Sequence, residues 1–540
     1  MTSPEPLSSF LASATGRLSV EARAAIVEQA IVLVDQIYVH LPLKRAMFAI
    51  DPVQRLRLLR RRLDAFGELA FHREMLAIFT ELRDLHTSYL LPAPFRGNLA
   101  FLPFLVEPFF DAGACRYLAS KVASSVDDPH FQAGVEITHM NGVPAARAAE
   151  IAAERQPGST GAARRARGVA AMTMRPLGSL PCPDEAWVDV RYLDAQGEAR
   201  EIRFSWMVMP AQDRLLDDEE SDHGLPEATA GGLDLGAEVM RRARRAFFAQ
   251  APAEREEIAG PIAEQIAGGA APLAKSTRMP DNFSFRVLDG PRGPVGYLRV
   301  WSFENTGTGA SSSTVDFVEA FVAEAMRILS LLPQTGLILD VRGNPGGRIP
   351  AGERLLELLT PRPIGGAPMH LRNTPLIGEL CRLSPPEIEL SAWADSVDGA
   401  VETGAVYSQS HPFLPFSRRY GRIGQRYHGP VVLVVDGLCY STTDIFVAGF
   451  QDHEVGPILG LDDNIGAGGA NNFSHGALAR LLSTSTPARV ARLDSGASFS
   501  VAVRQVLRSG APASRSRTWA SRRISSTGRP GAICWRRTPI

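Results

Sequence analysis

The stretch GPVVLVVDGLCYSTTDIFVAGF, residues 429–450, decides the architecture. Residues 431–435 are five consecutive aliphatic side chains, with none of the alternation of a half-exposed strand. Such a run reads as a strand buried on both faces. Asp436 and Gly437 end it, and residues 442–451 have the apolar spacing of a helix. A buried strand that passes through a short turn into a helix is half of a parallel α/β unit.

The same rhythm extends outward from this segment. Residues 295–300 read as a strand, 314–332 as an amphipathic helix and 336–341 (GLILDV) as another buried strand. The turn Arg342-Gly343-Asn344-Pro345-Gly346-Gly347 and a further helix follow, and residues 456–461 form one more strand. Residues 362–428 interrupt the pattern and are expected to be loop-rich and to cap the site. Upstream, residues 20–97 read as helical. Residues 98–210 carry short strand candidates at 101–110, 116–121, 135–140 and 186–192, with the turn dipeptide Asn141-Gly142. Residues 211–290 read as a connector, with an acidic run at 217–222, a helix candidate at 238–250 and a Gly/Ala/Pro-rich part at 268–280. The expected divisions are thus 1–97 helical, 98–210 β-rich, 211–290 connector, 291–510 α/β core and 511–540 an arginine-rich tail.

Composition bounds the class. The chain has 540 residues, 45% apolar and 21% charged, which excludes a mostly disordered chain, a collagen and a coiled coil. Lys and Arg number 57 against 58 Asp and Glu, and this balance argues against a nucleic-acid partner. No stretch approaches the ~18 consecutive apolar residues of a membrane helix, so no membrane association is expected. Residues 1–18 lack a basic stretch followed by an apolar one, so the expectation is a cytoplasmic protein. The five cysteines are scattered without CxxC spacing, and neither a disulfide framework nor a zinc site is suggested.

Chemistry concentrates at Ser441. It stands at the carboxyl end of a buried strand, where α/β sheets place ligands, and at the start of a helix, whose free N–H groups favour developing negative charge. That suits a serine nucleophile, with the N–H of Thr442 as an oxyanion donor. The competing reading is a helix cap, with Ser441 followed three residues later by Asp444. The glycine turn at 343–347 lets backbone N–H groups approach a ligand and offers a second donor, from Gly346 or Gly347. It lacks the spacing of a phosphate loop, and its plain reading is a tight turn. A serine needs a base. His86, in Asp84-Leu85-His86-Thr87-Ser88, is the candidate, although a lone histidine is commonly structural. Residues 466–472 (GAGGANN) read as a turn after a strand.

Taken in order, these segments resemble the carboxyl-terminal-processing, or tail-specific, serine proteases and their tricorn-core relatives. The resemblance rests on LRDLHTSY (82–89), FQAGVEITHMNGVP (131–144), GYLRVWSF (296–303), LDVRGNPGG (339–347), YSTTDIF (440–446) and QDHEVGPILG (451–460). It implies a ClpP/crotonase-like α/β core, with an N-terminal helical region and an inserted PDZ-like β domain. It also implies Ser441 as nucleophile, an oxyanion hole from Gly346 and Thr442, a polypeptide substrate, and no metal or organic cofactor.

The chain departs from the pattern twice. Many tail-specific proteases place a lysine in a GKG-like turn after the serine helix, whereas this turn reads Ile465-Gly466-Ala467-Gly468-Gly469. Tricorn-like relatives use an N-terminal histidine instead, so the resemblance implies a Ser441–His86 pair. Residues 508–540 contain eight Arg and no Asp, Glu or Lys, where the family shows an acidic segment ending in GVxPD. Residues 513–524 can be back-translated with G/C-rich codons so that a shifted frame reads EPVEDLGVxPD. This suggests a frameshift shortly before Ala513; the competing reading is a basic tail for anionic surfaces. The expected activity is peptide-bond hydrolysis. The rivals are an impaired relative that binds peptides or small apolar ligands, and an acyl-CoA enzyme on the same fold, for which no CoA motif is seen.

Overall fold

A computed structural model of the chain describes residues 4–111, 114–210, 231–233, 240, 277–304, 314–385, 388, 390–412, 423–483, 489–508 and 525–526. The α/β architecture is present. The central sheet runs in the order Phe283–Gly290, Gly293–Val300, Leu337–Asp340, Val431–Val435, Ile458–Gly460, Ser525–Ser526. All pairings are parallel except the first, a hairpin. The strand Val431–Val435 lies inside the sheet, but it is not buried on both faces as its aliphatic run predicts: Val431, Leu433 and Val435 are buried and Val432 and Val434 half-buried. Helices Thr314–Leu331, Ile349–Glu357 and Thr442–Asp452 cover the sheet, with Phe321, Leu355 and Phe446 fully or almost fully buried against Leu339 and Leu433. The core starts earlier than expected. Phe283–Gly290, assigned to the connector, is the edge strand of the sheet, because Phe283 is fully buried and Gly293 has the positive φ (112°) of a tight hairpin. The remaining connector calls, including the acidic run and the 238–250 helix, lie outside the described residues except for residues 231–233, 240 and 277–282.

A second sheet is antiparallel and runs His411–Pro412, Pro368–Leu371, Ser498–Val506, Ser88–Leu90, with Ala470–Ser474 also paired to Ser498–Val506. It packs with the N-terminal helices Val20–Val32 and Glu68–Glu81 in one apolar cluster that includes Ile26, Phe79, Phe499 and Val501. Residues 368–397 join this cluster through Leu376 and Trp393, so the predicted loop-rich excursion contains a buried strand and the helix Pro375–Leu383.

Residues 104–205 form an antiparallel sheet with two helices, Ala145–Glu154 and Gly161–Ala171. Asn141 and Gly142 both have positive φ (48° and 74°) between the paired Met140 and Val143, the geometry of a type I′ hairpin turn. No single helix among the described residues is long and apolar enough to cross a membrane.

Two histidines in the N-terminal cluster carry a pH prediction. His72 meets the Tyr89 hydroxyl at 2.9 Å and His475 meets Gln29 Oε1 at 3.3 Å. Burial pushes both down to about 4. The unfolded chain then binds more protons between pH 4 and 6.5, so stability is full above pH 6.5 and falls as pH drops toward 4. At pH 5 the loss is about 2 kcal/mol per histidine. Urea unfolding at pH 7.5 and pH 5 should show it, and His72→Gln with His475→Gln should flatten the difference.

Candidate active site

The turn after Val431–Val435 is tied to the glycine turn beside it by one carboxylate. Asp436 Oδ1 accepts the N–H groups of Gly343 (2.9 Å), Leu438 (3.0 Å) and Cys439 (3.1 Å), and Tyr440 N–H donates to Asn344 O at 3.2 Å. The chain then turns sharply at Ser441, with φ 60° and ψ −119°, before the helix Thr442–Asp452 begins. A non-glycine residue rarely holds a positive φ, and such strain is characteristic of functional turns. The Ser441 side chain makes no capping hydrogen bond, so the cap reading is set aside by the geometry.

Ser441 Oγ lies 2.7 Å from His86 Nε2, and both residues are fully buried. The two are 355 positions apart, and the second sheet brings them together. Ser88–Leu90 pairs with Ser498–Ser500, Ser500 Oγ donates to His86 O (3.0 Å), and Ala502 N–H donates to Thr87 Oγ1 (3.1 Å). The same long strand carries Ala470–Ser474, which follows the last helix–strand unit of the central sheet. Thr442 begins the helix, where first-turn N–H groups have no intrahelical acceptor.

The structure corrects one predicted donor. Gly346 N–H is taken up by Asn344 Oδ1 at 3.0 Å, and Gly346 O accepts Phe303 N–H at 2.8 Å. Gly346 is therefore not available to an oxyanion. Arg348 N–H also points to Phe303, bonding its carbonyl at 2.8 Å, so by strand alternation the peptide groups of Gly347 turn the other way. Gly347 O accepts Thr442 Oγ1 at 2.6 Å, which ties this strand to the serine helix. That side is taken by the strand Gly231–Leu233, which pairs antiparallel with Gly346–Arg348, Gly232 opposite Gly347.

Sequence reasoning missed Asn344, whose side chain also donates to Val300 O at 3.1 Å. Its signal was an asparagine two residues before a glycine, the spacing of an Asx turn. The Asp340 carboxylate braces the neighbouring strand end. It pairs with Arg299 (2.6 Å) and Arg342 (2.6 Å); burial would raise it, but these cations and their hydrogen bonds hold it below the usual carboxylate range. Burial pushes the Cys439 thiol up, which keeps this neighbour of Ser441 protonated and unreactive. The turn Gly466-Ala467-Gly468 presses on the Tyr440 ring: a Cβ on Gly466 or Gly468 would stand 2.7 Å or 2.3 Å from it. From Ala513 on, the arginine-rich tail lies outside the described residues apart from Ser525–Ser526.

Residues 294–477 match the family profile described as peptidase family S41. Among solved structures the chain is similar to mature CPAF, with 14% identity, a TM-score of 0.61, and coverage of 92% of this chain and 91% of that one. It is similar to mature CPAF complexed with lactacystin, at 15% identity, TM-score 0.61, and coverage of 94% and 93%. A further match is the photosystem II D1 C-terminal processing protease, at 12% identity, TM-score 0.36, and coverage of 93% and 91%. No curated protein sequence matches the chain. The class is thereby defined as a serine-type peptidase on an α/β core. The S41 match spans residues 294–477, the part of the chain that carries Ser441.

Proposed function

We propose that this peptidase cleaves polypeptides with Ser441 as nucleophile and His86 as general base. The observation that carries the reading is the 2.7 Å approach of His86 Nε2 to Ser441 Oγ at the mouth of a helix. The imidazole takes the serine proton as Oγ attacks the scissile carbonyl and returns it to the leaving amine. The developing oxyanion is met by the N–H group of Thr442 and, once the paired segment Gly231–Leu233 gives way to substrate, by that of Gly347, each worth about 3 kcal/mol in comparable sites. Preorganised donors of this kind need no cofactor to stabilise the charge.

An extended peptide suits the edge Gly346–Arg348, because that edge already accepts an extended segment, Gly231–Leu233. A substrate strand takes that place. The test is treatment of the full chain with a fluorophosphonate probe and mapping of the adduct by mass spectrometry. An adduct on Ser441 that His86→Ala suppresses is the expected result. A folded protein that never labels would overturn the reading and leave ligand binding on a peptidase fold.

A further inference from the structure

His86 and Ser441 sit on separate turns, and a base is effective only while its turn is held against the nucleophile. Between the two turns lies the carboxylate of Asp84, fully buried. Its Oδ1 accepts the main-chain N–H of His86 at 2.9 Å and faces the Tyr440 hydroxyl at 3.4 Å. Its Oδ2 accepts the Tyr38 hydroxyl at 2.8 Å and the Thr87 hydroxyl at 3.3 Å. The circuit closes through Leu85, whose N–H donates to the Tyr440 hydroxyl at 3.2 Å.

Tyr440 directly precedes Ser441, and its ring centre is 4.8 Å from that of His86. The glycine turn at 466–468 packs against the same ring and leaves it no room to swing. A buried carboxylate is costly unless several donors converge on it. Here the donors come from the base turn, from the residue before the nucleophile and from the N-terminal helical region. Such an arrangement is built to fix these turns relative to one another.

We propose that Asp84 is a positioning residue for hydrolysis. It joins the His86 turn to Tyr440 and so holds the imidazole at proton-transfer distance from Ser441. The proposal rests on the assignment of Ser441 and His86 as nucleophile and base.

The test compares Asp84→Asn, Tyr440→Phe and Ser441→Ala in peptide hydrolysis, with kcat expressed per folded molecule from circular dichroism. The amide of Asp84→Asn puts a donor where two hydroxyl donors converge. Its kcat should fall about 10- to 100-fold, as displacements near 1 Å do, with KM within about twofold. Tyr440→Phe loses one link, and its kcat should fall about threefold to tenfold at unchanged KM. A purely structural role would lower the folded fraction and leave kcat per folded molecule untouched, and that result overturns the proposal. If Asp84→Asn does not fold, Tyr440→Phe decides: wild-type kcat overturns the proposal and reduced kcat at unchanged KM upholds it. Retained hydrolysis by Ser441→Ala would instead remove the assignment beneath it. An inactive Ser441→Ala beside fully active Asp84→Asn and Tyr440→Phe would remove Asp84 alone.

Discussion

Ser441→Ala should lower kcat for peptide hydrolysis by on the order of a million-fold, and His86→Ala should lower it nearly as far. The double variant should be no worse than either single one. In the proposed mechanism nucleophile and base act as a unit: without the hydroxyl the imidazole has no proton to take, and without the imidazole the hydroxyl stays a poor nucleophile. The residual rate comes from substrate binding and the oxyanion donors. Steady-state kinetics with a fluorogenic peptide checks the three variants. Additive losses in the double variant would show that the 2.7 Å contact is not a working pair.

Gly347→Ala should abolish most activity by a different route. A Cβ at this position would stand 2.2 Å from the Phe303 carbonyl carbon and 2.4 Å from Glu304 N, and its φ of 135° is itself hostile to a side chain. The contacts are with backbone, so the strand Gly346–Arg348 has to move, and with it the proposed oxyanion donor. Loss of one such donor costs about 100- to 1000-fold in kcat. Stability should fall as well, by about 1–3 kcal/mol, as for other forced insertions into packed backbone. Gly365→Ala is the matched control: nothing lies within 4 Å of its would-be Cβ, and activity and melting temperature should stay at wild-type values. A fully active Gly347→Ala would move the oxyanion hole elsewhere.

Much of this site was legible one segment at a time. VVLVV could only be an interior strand, and a serine in the turn behind it could only face the sheet's carboxyl edge. Asn141-Gly142 carried its hairpin geometry in two residues. The contact between His86 and Ser441 was not legible from spacing, because the His86 turn is held by a third segment, Ser498–Val506, far from it along the chain. Only the ordered likeness to a family paired the two. The choice between Gly346 and Gly347 was lost for a smaller reason. It turns on which peptide plane Asn344 claims, and a sequence shows the asparagine without the direction of its bond. Phe283–Gly290 was misplaced because an edge strand reads as less apolar than an interior one, with intermediate or exposed positions after Phe283. Asp84 was visible within its motif, yet its role depends on Tyr38 and Tyr440, which lie on other elements.

The strand Ser498–Val506 has a consequence for when this protein first acts. Chains leave the ribosome from the amino end, and their domains fold as they emerge. His86 is made early and Ser441 much later, yet the surface on which the His86 turn rests is supplied by residues 498–506. A nascent chain that already carries both reactive side chains is still unable to bring them together. If Ser441 and His86 are the working pair proposed above, proteolytic competence arrives only once this late strand has been made. On the proposed assignment, a product cut short before residue 498 lacks the strand that holds the His86 turn, and its Ser441 should fail to label with a fluorophosphonate probe.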